Sequence, residues 1–235
     1  MTSQPTANPA PASSSSSPSH LAYLRRCLSL AEKSPPRPTN FRVGAILVQR
    51  PANEPDTTVN DRILSTGYTL ELAGNTHAEQ CCLSNYAAVH SVPDERVYEV
   101  LPEEPDKKLI MYVTMEPCGR RLSGNLPCVE RIIQTRQGGH KGIDKVYFGV
   151  KEPGIFVGES EGCKKLTEAG ITWQHIEGME KEILAVATAG HEKRDEEMRE
   201  ATGGTVNETN VDDISPEERQ RQEQMPRNPK KRMMG

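Results

Sequence analysis

The chain has 235 residues, enough for one sizeable domain, and its 34% hydrophobic content is low because both ends are apolar-poor. A formal net charge of −4 and 4% aromatic residues give no general case for nucleic-acid binding. No apolar run is long enough to span a membrane, and residues 1–24 hold neither the basic start of a secretory signal nor the arginines of a mitochondrial presequence. The expected location is therefore intracellular, in the cytoplasm or nucleus, with no membrane partner.

Residues 1–18 are Pro, Ala and Ser with a serine run. Such a segment has too little apolar surface to offset its ordering entropy and is expected to be a disordered tail. Ser19 is placed to N-cap a helix reaching residue 33, with Leu21, Leu24, Leu28 and Ala31 at helical spacing and Pro35, Pro36 and Pro38 beyond its end. Residues 41–49 form an apolar, β-branched run that reads as a buried strand. Residues 62–67 read as a second strand, antiparallel to the first. A loop through Gly74 leads into a helix over about 77–89, with Asn75 or Thr76 as its N-cap.

Residues 91–108 are charged and proline-bearing and read as a surface loop. A third strand is expected at 109–115, a helix at 127–135, a fourth strand at 145–150, a helix at 160–169 closed by Gly170, and a short fifth strand at 171–175. A last helix begins near Met179, with Ile183, Val186, Ala187 and Gly190 on one face. Strands and helices alternate from 62 to 175, which argues for an α/β layer fold. The expected organisation is a tail over 1–18, one domain over 19–200, and a charged, disordered tail over 201–235. Lys230, Lys231 and Arg232 near the end are either a solvated charge run or a nuclear or nucleic-acid patch.

Two short segments carry chemistry. His77-Ala78-Glu79 opens a predicted helix; Pro117-Cys118 and Pro127-Cys128 lie around the next strand-to-helix turn. One imidazole and two thiolates are zinc ligands, and three protein ligands leave a fourth position for water, the catalytic arrangement. The two thiolate charges cancel that of Zn²⁺, yet the metal still acidifies water toward a pKa of about 7. Glu79, two residues from His77, is placed to carry a proton from that water to a departing amine. The order of these segments matches the His-x-Glu…Pro-Cys-x-x-Cys signature of zinc deaminases. One Zn²⁺ per chain is expected, on His77, Cys118 and Cys128. Cys27, Cys81, Cys82 and Cys163 lack such context and read as core or surface residues.

On these residues the chain resembles the cytidine-deaminase-like superfamily, and within it the riboflavin-pathway pyrimidine deaminases of fungal type, over about residues 20–190. The signature spaces its cysteines by two residues; here the insertion Gly119-Arg120-Arg121-Leu122-Ser123-Gly124-Asn125-Leu126-Pro127 separates them, as in the riboflavin branch. Asn40 ahead of Val43-Gly44-Ala45, and the run Gly74-Asn75-Thr76-His77-Ala78-Glu79-Gln80, match as well. The resemblance implies a three-layer α/β/α fold with a mixed five-stranded sheet. It implies hydrolytic deamination of a diaminopyrimidinone carrying a ribityl phosphate, and a homodimer.

The resemblance also implies that Asn40 touches substrate and that the cysteine insertion, with Ser123 and Asn125, helps hold the ring or the phosphate. Arg120 and Arg121 suit a phosphate by charge and geometry, or are two solvated surface arginines. Bacterial members often carry a histidine where this chain has Leu70, and the neighbouring Glu71 is a candidate replacement contact. Two alternatives remain open at this point. One is a nucleic-acid (tRNA) or nucleotide base deaminase of the same superfamily. The other is an inactive zinc scaffold, against which the intact Glu79 speaks.

Overall fold

Five strands form one sheet because their apolar residues alternate between two cores. In the computed structural model, which describes residues 18–53, 60–121, 124–151 and 160–192, these are β1 (Gly44–Pro51), β2 (Arg62–Tyr68), β3 (Lys107–Met115), β4 (Lys145–Val150) and β5 (Thr172–His175). Ala45, Leu47, Met111, Val113, Val146 and Phe148 face one core; Ile46, Val48, Ile110, Tyr112, Tyr147 and Val150 face the other. With both faces buried, the strands read as continuous apolar runs rather than alternating ones.

The strand order is β2-β1-β3-β4-β5. β1 pairs antiparallel with β2 and β3, and β3, β4 and β5 run parallel. Helices α2 (Ala78–Val89), α3 (Cys128–Gln134) and α4 (Glu161–Glu168) cover one face; α1 (Pro18–Ala31) and α5 (Glu180–Ala187) cover the other. This is the mixed five-stranded α/β/α arrangement that the family resemblance implies. Among the described residues no helix is long and apolar enough to cross a membrane. The expected tails fall, apart from Pro18, outside the described residues, as does the basic run at 230–232.

Two glycines let helices sit directly on strands. A Cβ at Gly44 would stand 1.9 Å from the Cys27 carbonyl oxygen of α1. A Cβ at Gly67 would stand 2.3 Å from Cys82 N and 2.4 Å from Ala78 O, both backbone atoms of α2. No real Cβ tolerates such contacts, so hydrogen at these positions sets the helix-to-sheet distance.

Local differences from expectation have physical causes. β1 runs on to Pro51 because β3 begins at Lys107 and pairs with it there. The expected surface loop at 91–108 contains a short 3-10 helix, Asp94–Glu99, which plants Val97 and Leu101 in the core under α2. In α5, Leu184 takes the buried place assigned to Val186, while Gly190 is exposed. The N-cap of α2 is His77, not Asn75 or Thr76. Thr76 instead donates its hydroxyl back to Leu72 O at 2.9 Å.

Candidate active site

The site lies where β3 ends and α2 and α3 begin. β3 leads into Glu116-Pro117-Cys118, His77 caps α2, and Cys128 is the first residue of α3. Proline before each cysteine restrains the backbone at these turns. His77 Nδ1 lies 3.5 Å from Cys118 Sγ and 3.4 Å from Cys128 Sγ, and all three donor atoms fall within 4.8 Å of one another. Tetrahedral zinc at ordinary Zn–S and Zn–N bond lengths spaces sulfur and nitrogen by about 3.5 Å. The donor set and its spacing therefore fit zinc, and His77, Cys118 and Cys128 are the residues that would hold it.

Glu79 is buried on the first turn of α2, with Oε2 accepting from Cys128 Sγ at 3.3 Å. Burial first, and then the charge of Cys118, push its carboxyl above the usual carboxylate range. Among the cysteines, hydrogen bonding from Cys128 outweighs burial and, helped by His77, holds Cys118 down to about 4. The same bond, together with burial, pushes the Cys128 thiol up. The cluster thus gathers two cysteine sulfurs and a carboxyl around His77, and the Arg121 charge favours the anionic form of Cys128. A divalent cation is the group such a cavity is short of.

The remaining candidate residues separate into distinct places. Asn40 Nδ2 donates to Asn75 Oδ1 at 2.9 Å, so Asn40 joins the loop that leads to His77. Arg121 is buried and points back across the cluster, donating to Asn75 O at 2.8 Å and to Gln80 Oε1 at 3.4 Å. It is not a solvated surface arginine. Arg120 is exposed and Asn125 half-buried. Ser123 lies outside the described residues. Glu71 is not brought to the metal cluster; its carboxylate turns back on its own turn and accepts from Tyr68 N at 3.2 Å.

Residue-by-residue reading missed Glu116. Its buried carboxylate accepts from Ser160 Oγ and, at 3.4 Å, from Cys163 Sγ, while Ser160 Oγ caps α4 by accepting from Cys163 N at 2.9 Å. Glu116 so ties the start of α4 to the turn that carries Cys118. Its adjacency to Pro117-Cys118 was the available signal, but the partners lie more than forty positions away. Cys27, Cys81, Cys82 and Cys163 are all buried and stand apart from the ligand triad.

Comparison with known proteins agrees with this geometry. The family model of the cytidine and deoxycytidylate deaminase zinc-binding region matches residues 17–149. The diaminohydroxyphosphoribosylamino-pyrimidine deaminase of Schizosaccharomyces pombe is 33% identical over 172 residues, covering 73% of this chain and 36% of that protein. The chain thus spans about a third of the length of the curated relatives it matches. The crystal structure of Aspergillus oryzae Rib2 deaminase, a C-terminal deletion mutant, is 73% identical with a TM-score of 0.73, covering 78% of this chain and 98% of that one. A further crystal structure of that deaminase, in complex with DARIPP, matches at 72% identity with the same TM-score of 0.73. Matched over more than half its length by the family model, and aligned with almost the whole of a C-terminally deleted Rib2 deaminase, the chain belongs to the cytidine and deoxycytidylate deaminase zinc-binding family, on its fungal riboflavin-pathway branch.

Proposed function

We propose that the chain is a zinc-dependent hydrolytic deaminase of riboflavin biosynthesis. It converts a diaminopyrimidinone bearing a ribityl phosphate, plus water, to the corresponding pyrimidinedione and ammonia. The observation that carries this reading is the pairing of Glu79 with the His77, Cys118 and Cys128 cluster: Oε2 stands 3.3 Å from a ligand sulfur, on a carboxyl that burial holds above its usual range. The likeness to Rib2 deaminase, whose crystal structure holds DARIPP, supports the substrate class.

Bound on the triad, zinc supplies a Lewis acid that makes water nucleophilic near neutral pH. Glu79 Oε2 takes a proton as the water oxygen bonds to the ring carbon bearing the amine. It passes that proton to the adjacent ring nitrogen, then takes the proton of the newly added hydroxyl and delivers it to the amine as the carbonyl forms, the carbon–nitrogen bond breaks and ammonia leaves. A carboxyl whose pKa is raised by burial can both hold and release a proton in this cycle. Asn40, fixed by Asn75, faces the ring. Arg120, the solvent-exposed arginine of the insertion, meets the phosphate. The enzyme acts inside the cell as a homodimer and does not engage nucleic acid.

Ammonia release from the ribityl phosphate substrate, its ribosyl counterpart, cytidine, deoxycytidylate and a transfer RNA tests this reading. The ribityl phosphate form gives the highest kcat/KM. A higher value for cytidine or the RNA refutes the substrate while leaving the zinc chemistry in place.

A further inference from the structure

We propose that Arg121 is a positioning residue, a clasp that holds the loop and first helical turn carrying His77 and Glu79 in register with the cysteine turn, rather than a phosphate ligand. The inference rests on the ribityl phosphate reading only for the choice of substrate in its test.

Arg121 lies three positions beyond Cys118 and is only 7% exposed. Its guanidinium reaches the other ligand segment at two points. Nη2 donates to Asn75 O at 2.8 Å, two residues before His77, and Nη1 donates to Gln80 Oε1 at 3.4 Å, one residue after Glu79. The three-residue chemical segment 77–79 is thus bracketed on both sides by one side chain. Asn75 in turn accepts from Asn40 on its own side chain at 2.9 Å. The chain of contacts runs from the cysteine insertion through Asn75 to the residue that faces the substrate ring.

A planar fork with donors in fixed directions suits this double attachment, and an ammonium does not. Burial and donation to two protein oxygens also set Arg121 apart from Arg120, its exposed neighbour. Two adjacent arginines of the insertion therefore do different work. Arg120 faces solvent, where a phosphate arrives, and Arg121 faces inward, where the ligand segments must be kept in step. Misplacing a reacting group by an ångström lowers a rate by about 100-fold, so a clasp acts on kcat.

The test uses the full zinc-loaded chain and compares wild type with Arg121→Gln and Arg121→Lys. Substrates are the ribityl phosphate pyrimidine and its dephosphorylated form. For both variants kcat falls by about 10- to 100-fold on both substrates, and the wild-type preference for the phosphorylated form is kept. A variant that raises KM for the phosphorylated form alone, and so equalises the two substrates, makes Arg121 a phosphate ligand and overturns the clasp. Recovery of wild-type kcat by Arg121→Lys, which keeps charge but loses the fork, overturns it too.

A second measurement needs no substrate. In the cobalt-substituted protein, Arg121→Gln shifts the visible ligand-field bands, because His77 and the cysteines lose their common tether. Unchanged bands overturn the proposal. If Arg121→Gln is recovered unfolded or without metal, Gln80→Ala, which removes one arm only, shows the same losses at smaller size. Should wild type turn over neither substrate form, the substrate reading fails and the cobalt bands still decide the clasp.

Discussion

Two of the buried polar clusters among the described residues are built on opposite principles. On the α1 face, Arg50 and Asp61 form a two-pronged ion pair with contacts of 2.6–3.1 Å, their side chains 3% and 1% exposed. Tyr23 donates to Asp61 at 3.0 Å, Arg50 donates to the Tyr112 hydroxyl at 3.1 Å, and His20 Nδ1 meets the same hydroxyl at 2.8 Å. Tyr23, Tyr112 and Tyr147 stack beside it. Charge there is balanced within the protein. At the end of β3, by contrast, Cys118, Cys128 and Glu79 crowd acidic groups around His77, and among the described residues no lysine or arginine is ion-paired with them. A closed network stabilises a structure; an open one is kept because something from outside completes it.

Removing the open cluster's ligands has the largest effect. The Cys118→Ser, Cys128→Ser double variant loses bound zinc and falls to background turnover, read by metal analysis and ammonia release. Zinc content equal to wild type would place the metal elsewhere.

Next in size is Glu79→Gln, which keeps zinc near one per chain and the wild-type melting profile but loses on the order of a hundredfold or more in kcat. Activity within a few-fold of wild type assigns the proton transfer to another group.

The closed cluster responds in stability instead. Arg50→Ala strands Asp61 in the core and lowers unfolding free energy by about 3–5 kcal/mol, measured by urea titration. A paired Arg50→Met, Asp61→Leu variant regains most of that loss, because an apolar pair of similar volume replaces the ions. No second-site change rescues the cysteine pair in the same way. If Arg50→Ala instead removes zinc while the chain stays folded, the two clusters are not independent.

The smallest effect is a slope with pH. Burial first, and then the charge of Asp61, push the Tyr23 hydroxyl from 10.0 up to about 12. Between those values the folded chain keeps a proton that the unfolded chain releases. The associated stability is complete below pH 10.0 and is lost as pH rises through about 12. Tyr23→Phe therefore unfolds with a flatter pH dependence over that interval, and an unchanged slope places the titration at another group.

The open cluster was legible from residues and the closed one was not, for a physical reason. Zinc chemistry demands particular residue types at short range from helix starts, so His77, Glu79, Cys118 and Cys128 announce themselves. Arg50 and Asp61 are ordinary charges until β1 is seen to run past Gln49, and Tyr112 reads as one more apolar strand residue. Strand existence followed from apolar runs, and the antiparallel pairing of β1 with β2 followed from their close spacing. The start of α2 did not: His77 occupies its cap because its place is set by the cysteines across the turn, whereas propensity favours Asn or Thr. The sequence leaves Arg121 either a phosphate ligand or a solvated side chain, because nothing local to it reveals that its partners are Asn75 and Gln80.

The missing side chain at Gly67 gives the site a vulnerability that no inventory of its polar residues would reveal. The seam between β2 and α2 admits no atom beyond hydrogen there, and α2 begins immediately after His77 and carries Glu79. A lineage that acquires alanine at 67 pushes the helix outward while leaving every ligand and every proton carrier in its sequence intact. Relatives that have drifted out of catalysis can therefore look complete when judged by their signature alone. The state of this glycine, packed against the turn of α2 that carries Glu79, is a character to weigh beside that signature.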